Sequence, residues 1–190
     1  MALGGLKLAI KKTMRYSQRD FEKRIFYLRK LRKIIGERGS KNIVYLDESG
    51  FLPSTQRNYG WAKRGKKVYG EKSGNSRPRT SLIVAKRGKQ MLAPVLFEGS
   101  TDAIWFNSWL EKHLFKELNP QSTIIMDNAA FHKKKDIHEI ATKHGHYVLF
   151  LPPYSPDFNP IEQDFANIKK IRSFANTNTE LDYIIKTYGN

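Results

Sequence analysis

Three carboxylates in this 190-residue chain stand where they could do chemistry together. Asp47 closes the apolar, β-branched run IVYLD (43–47), and Asp127 closes a second such run, TIIMD (123–127). Runs of this kind read as strands. If the two strands are neighbours their ends meet, and crevices at strand carboxyl ends are where α/β sheets bind ligands. Glu162 lies in the first turn of a helix starting at Ile161. It precedes Phe165 by three residues, so it borders the apolar side made by Ile161, Phe165 and Ile168. Gathered carboxylates repel one another, and an all-oxygen donor set in a chain without cysteine suits Mg²⁺ or Mn²⁺. Two such ions about 4 Å apart would activate a water or a 3′-hydroxyl and stabilise the leaving oxygen in phosphodiester cleavage.

Each acid also has a plainer reading. Asp47 suits a strand-end turn, and Asp127-Asn128 suits an Asx-type turn. Asn159 as N-cap, Pro160 at the first helical position and Glu162 at the third make a variant of the capping box. Asp157 and Asp164 compete with Glu162 as a third ligand, although Asp164, two residues on, faces away from it around the helix. Glu48 points to the opposite face of its strand from Asp47 and reads as a structural or supporting residue.

The elements that must position these acids follow from hydrophobic pattern. Residues 18–35 place Phe21, Ile25, Leu28, Leu31 and Ile35 at helical spacing with Arg and Lys opposite, a basic amphipathic helix ended by Gly36 and Gly39. After strand 43–47, residues 50–78 read as a long basic loop or ribbon. Strands follow at 80–86 and 91–97 around a turn at Gly88, then a helix at 102–118 with Phe106, Leu110, Leu114 and Leu118 on one side. Strand 123–127, helix 135–144, strand 147–151, the rigid PPYSPDFNP connection and a last helix from Ile161 complete the chain. The order β-β-β-α-β-α-β-α predicts an α/β fold: a mixed sheet of three antiparallel strands and then parallel βαβ units, flanked by helices. The same string also fits other α/β arrangements. Residues 1–40 read as a basic extension and 41–190 as the main domain.

Composition narrows the partners. With 39% hydrophobic residues and spread aromatics the chain is globular, and no apolar run approaches the roughly eighteen residues of a membrane span. Zero cysteines exclude disulfides, zinc ribbons and thiol catalysis. The N-terminus has its apolar stretch ahead of its charges, the reverse of a signal peptide, so an intracellular location is expected. The net charge of +16 is uneven: residues 1–42 hold 13 Lys and Arg against 3 Asp and Glu, and residues 101–190 hold 10 against 11. A basic front half implies a polyanionic partner, most simply DNA. Arg57, Lys63, Arg64, Lys66, Lys67, Arg77 and Arg79 in the central basic segment are the candidate contacts, together with the N-terminal helix.

The segments VYLDESGF (44–51), IIMDNAAFHK (124–133) and LPPYSPDFNPIE (151–162) closely resemble the three signature blocks of DDE transposases of the mariner superfamily, especially its bacterial insertion-sequence branch. The 34 residues between Asp127 and Glu162 match the spacing of that superfamily's second and third acids. The resemblance runs from about residue 40 to at least 170. It implies an RNase H-like catalytic domain with Asp47, Asp127 and Glu162 as ligands of two Mg²⁺ or Mn²⁺ ions. Glu48, Asn128, His132 and Asn159 would stand around them. The implied activity is cutting transposon ends and joining their 3′-hydroxyls to target DNA, by a homodimer acting in a bacterial-type cytoplasm beside the nucleoid. Where the family often has tryptophan soon after the glutamate, this chain has Gln163, Asp164 and Phe165. Family members usually carry helix-turn-helix domains ahead of the core, for which this chain has no room. The second half of a split transposase is therefore one alternative. Another RNase H-like nuclease and an inactive DNA-binding remnant are the others.

Overall fold

The computed structural model describes residues 19–52, 62–67, 69, 79–129, 133–176 and 179–188. Arg57, Arg77 and His132, all named above, lie outside the described residues. Five strands, β1 (Ile43–Phe51), β2 (Thr80–Arg87), β3 (Gln90–Glu98), β4 (Thr123–Met126) and β5 (Tyr147–Phe150), form one sheet in the order β3-β2-β1-β4-β5. β1, β2 and β3 are antiparallel neighbours, while β4 and β5 run parallel to β1 on its other side. This is the mixed sheet that the element order predicts. The β2–β3 hairpin turns through Gly88 at φ 60°, a left-handed conformation that glycine adopts without a Cβ clash.

β1 departs from expectation in length. Asp47 does not end it: pairing with β4 stops at Tyr45, but pairing with β2 continues to Phe51. The physical reason is that β2 satisfies the backbone of residues 46–51 along one edge after β4 has ended. Asp47 therefore sits inside a strand, just past the point where its parallel neighbour departs.

Helices cover both faces. α1 is Phe21–Arg38; α2 (Ala103–Trp109) passes through a π-turn at Leu110–Leu114 into α3 (Phe115–Glu117); α4 is Lys134–Lys143, α5 Ile161–Phe174 and α6 Leu181–Thr187. Strand alternation sorts the core. Val44, Leu46, Ile83, Ile124 and Met126 meet Phe106, Trp109 and Leu114 of the α2–α3 run and Ile137 of α4 on one face. On the other face Phe51, Leu82 and Val84 meet Phe165 and Ile168 of α5 and Leu181 and Ile184 of α6. Beside them Ile43, Ile125 and Leu149 meet Tyr27 of α1. Among the described residues no helix is long and apolar enough to cross a membrane.

Two helices differ from the sequence reading. α6 is an additional element, where one last helix from Ile161 is expected. α1 is rotated about its axis relative to expectation. Tyr27 is buried and Leu31 and Ile34 pack beside it, whereas Phe21, Leu28 and Ile35 of the expected stripe are exposed. The docked side is finished by arginines whose guanidiniums lie on aromatic rings: Arg24 sits 3.9 Å over Phe158 and Arg38 3.2 Å over Tyr147.

Candidate active site

The register pairs Tyr45 with Ile125, so Asp47 and Asp127, two residues further on each chain, come level past the end of the shared ladder. Alternation turns both toward the face covered by α1 and α5. α5 begins beside them, because six contiguous residues of the preceding connection lead the chain back across the sheet end. Asp47, Asp127 and Glu162 line one cavity of about 770 Å³, with Asn128, Asn159 and the Leu151–Pro156 segment.

Asp47 is the most constrained of the three. Its Oδ1 accepts the Glu48 backbone N–H at 2.8 Å, and its Oδ2 accepts from Asn159 Nδ2 at 3.0 Å. Burial pushes its carboxyl up to about 7, and the charges of Asp127 and Glu162 push the same way against those two hydrogen bonds. Asp127 Oδ1 accepts the Ala129 N–H at 3.1 Å, so the Asx turn expected as an alternative to a site role coexists with placement in the cavity. Asn128 donates through Nδ2 to the Leu151 carbonyl, tying the end of β4 to the chain leaving β5.

The capping box is not formed. Pro160, not Asn159, is the residue at the N-cap of α5, and the helix has no side-chain cap. Asn159 is buried, and its amide is turned to Asp47; its Oδ1 stands 3.4 Å from the Ile161 N–H. The two ends of the side chain thus do different things: Nδ2 donates a charge-assisted bond to the Asp47 carboxylate, while Oδ1 accepts a long bond from the Ile161 N–H. Glu162 is left exposed on the first turn of α5 at the cavity wall.

The rival acids are engaged elsewhere. Asp157 is paired with Arg24 at 2.7 Å and Arg19 at 3.0 Å, which hold its carboxyl below the ordinary range, the Arg24 hydrogen bonds foremost. Asp164 is paired with Lys86 and accepts from the Tyr188 hydroxyl at 2.9 Å. Glu48 accepts from Thr101 Oγ1 at 2.8 Å, while its backbone N–H serves Asp47. As the side chains stand, no three His, Asp or Glu among the described residues are gathered tightly enough to hold an ion. The three acids share a cavity and raise the Asp47 pKa, but they are not closed around one point.

Of the basic candidates, Lys63, Arg64, Lys66 and Lys67 are exposed. The Arg79 guanidinium lies flush on Gly50, where an added Cβ would come within 1.6 Å of its Nε. Sequence reasoning missed Arg24, Ser155 and Tyr154. Tyr154 lines the cavity, is half exposed and holds φ 54°, a left-handed conformation that is costly for a bulky residue. The prolines on either side of Tyr154-Ser155 are the one signal that could have marked this segment.

A family model described as DDE superfamily endonuclease matches residues 42–181. The chain belongs to the DDE superfamily endonucleases. By structure it is similar to the Mos1 strand transfer complex, with a TM-score of 0.70 at 17% identity over 95% of this chain and 58% of that one. It is also similar to the mariner Mos1 paired end complex with Mg, with a TM-score of 0.73 at 14% identity over 96% of this chain and 58% of that one. The catalytic domain of Mos1 mariner transposase matches with a TM-score of 0.61 at 14% identity, over 92% of this chain and 82% of that one. These likenesses show the fold, which is RNase H-like. This DDE endonuclease chain spans 58% of the chain in the strand transfer complex. No curated protein matches it by sequence.

Proposed function

We propose that this chain is the catalytic core of a transposase, which cuts phosphodiester bonds at transposon ends and joins the freed 3′-hydroxyls to target DNA. The observation that carries this reading is the meeting of Asp47 inside β1, Asp127 just past β4 and Glu162 at the start of α5 in one cavity. Membership of the DDE endonucleases supports it. So does the charge of +16, which suits a DNA partner.

The donor set fits Mg²⁺ or Mn²⁺. It is all oxygen, and Asp47 is held near 7 by burial and by two like charges, so a divalent cation would relieve the cavity. Structures of Mos1 are described with Mg and with Mn. Asp47, Asp127 and Glu162 would hold the ions, which supply activation of a water or 3′-hydroxyl and stabilisation of the leaving oxygen. The chain's own contribution is orientation. Asn159 and the Glu48 N–H each bind one oxygen of Asp47, and Asn128 fixes the loop behind Asp127. DNA ends and target DNA are the substrates in this reading. A second copy pairing the two ends and a separately encoded helix-turn-helix part are its partners.

The test is nicking of supercoiled plasmid by wild type and Asp127→Asn with Mg²⁺ or Mn²⁺. The near-isosteric amide should abolish nicking and leave the melting temperature within a few degrees. Equal nicking by both proteins would move the activity away from this cavity. Faster cleavage of an RNA–DNA hybrid than of duplex DNA would point to a different RNase H-like nuclease.

A further inference from the structure

α1 meets the rest of the chain at the very segment that carries Asn159 into the cavity. Arg24 donates to both carboxylate oxygens of Asp157, Nη1 to Oδ1 at 3.1 Å and Nη2 to Oδ2 at 2.7 Å. Its Nη1 also donates to Ser155 Oγ at 2.7 Å, and its guanidinium lies 3.9 Å over the Phe158 ring. Tyr27, one turn along α1, stacks on that same ring at 5.3 Å and 15° between planes. Arg19 adds a further bond to Asp157 at 3.0 Å. One helix thus holds Ser155, Asp157 and Phe158, three of the four residues that immediately precede Asn159.

Those residues need an external hold. Tyr154 is left-handed, and the turn at Pro156–Phe158 is closed by the local bonds Phe158 N–H to Ser155 O and Asn159 N–H to Pro156 O. Such a turn does not by itself fix where residue 159 points. Yet the Asn159 amide must arrive on Asp47 Oδ2 at 3.0 Å, and the next turn of chain brings Glu162 to the same cavity.

We propose that Arg24 is a positioning residue of the active site. It clamps the 155–158 turn so that Asn159 holds Asp47 and α5 starts with Glu162 at the cavity wall. In this role α1 is a brace of the acid site and not only a basic surface. The link to catalysis rests on the reading of Asp47, Asp127 and Glu162 as metal-holding acids; the clamp itself rests on the contacts alone. Arginine is suited to the task and lysine is not, because the planar fork binds Asp157 with two parallel bonds while its face covers a ring.

The experiment compares wild type with Arg24→Ala, Arg24→Lys and Ile34→Ala. Ile34→Ala trims the same apolar cluster further along α1 but removes none of the Arg24 bonds to Ser155 and Asp157. The first reading needs no metal: hydrogen exchange of the Asn159 side-chain amide protons, followed by NMR. Exchange should speed up at least about tenfold in Arg24→Ala and Arg24→Lys, and stay near wild type in Ile34→Ala at a matched loss of melting temperature. The second reading is Mn²⁺ affinity by calorimetry, with Asp127→Asn as the reference for loss of the acid site. Arg24→Ala should weaken it by about 10- to 100-fold, the usual consequence of losing a group that orients a ligand. Unchanged Asn159 exchange in Arg24→Ala, or equal acceleration in Ile34→Ala, overturns the clamp. Asp127→Asn binding Mn²⁺ as tightly as wild type would instead overturn the metal-holding reading, and the exchange result would still decide the clamp.

Discussion

At Asp47 burial and two neighbouring carboxylates act in the same direction, and the consequence is a pH dependence of stability with a definite sign. Burial holds the folded carboxyl up to about 7, against 3.8 for an ordinary aspartate as in the unfolded chain. Between those values the folded protein binds a proton that the unfolded chain has released, so stability falls as pH rises across that window and is flat above it. The full loss is on the order of 4 kcal/mol, from about 1.4 kcal/mol per unit. In chelator, the melting temperature of wild type should therefore drop between about pH 4 and pH 7, and Asp47→Asn should lack most of that slope. Above pH 7, Mg²⁺ or Mn²⁺ should raise the wild-type melting temperature by mass action and leave Asp47→Asn nearly unmoved. A slope as steep in Asp47→Asn as in wild type would mean that some other group titrates. Asp47 and Asp127 were legible in the sequence because each ends an apolar run, and a parallel pair of such runs brings its ends level. The resemblance sets Asn159 around the acids, but its bond to Asp47 in particular was not legible, because the local pattern Asn-Pro-Ile-Glu describes a helix cap equally well. Only the path of the chain from Leu151 onward decides which partner the amide finds.

α5 carries an acid on each of two sides, and the two have different fates. Glu162 faces the cavity, while Asp164 is buried between Lys86 of β2 and Tyr188 beyond α6. A paired buried charge adds little against a well-packed apolar pair, but removing one partner strands the other in a poor solvent. Lys86→Met should thus cost about 3 kcal/mol or more in denaturant unfolding. The double variant Lys86→Met with Asp164→Leu should recover most of that loss. If nicking survives in the double variant, Asp164 holds no ion; loss of nicking with the fold intact would bring it back as a third ligand. The same element scale shows what hydrophobic pattern misses. That the sheet is mixed, antiparallel and then parallel, follows from the order of strand and helix patterns, while the strand order itself comes only from the structure. The docked side of α1 does not follow from pattern either, because it is Arg24, Tyr27, Leu31, Ile34 and Arg38, and two of these dock by laying a guanidinium on an aromatic ring. A scale that scores arginine as polar selects Phe21, Leu28 and Ile35 instead, and those are exposed.

Over the whole molecule the charge is arranged so that the basic half is partly consumed from within. Residues 1–42 hold 13 Lys and Arg against 3 acids, yet Arg19 and Arg24 are committed to Asp157, and Arg38 lies on Tyr147 and donates to Thr123 Oγ1. What α1 still offers outward is Arg29, Lys30 and Arg32, with Lys23 and Lys33 also exposed but paired with Asp20 and Glu37; Lys63, Arg64, Lys66 and Lys67 are exposed in the central segment. These are flexible side chains on a convex helix and a turn, a set able to meet phosphates. Among the described residues none of this resembles a recognition helix placed to read base edges. Binding to duplex DNA should then be strong at low salt, nearly indifferent to sequence and steep in ionic strength. Each neutralised phosphate releases roughly 0.9 counterion, so contact with six to ten phosphates lowers affinity by about 10³ to 10⁵ between 50 and 200 mM salt. The measurement is a salt titration against an inverted-repeat duplex and a scrambled duplex of equal length, using fluorescence anisotropy. Superimposed curves with a slope of about −5 to −9 fit a core held by phosphates alone. Replacing Lys30 and Lys33 by glutamine should flatten that slope by about 2 if both meet phosphate, and leave it unchanged if α1 acts only as a brace. A preference for the inverted repeat of more than about 100-fold that persists at 200 mM salt is larger than phosphate contacts supply. That result would require base-reading contacts within this chain and would refute binding by charge alone.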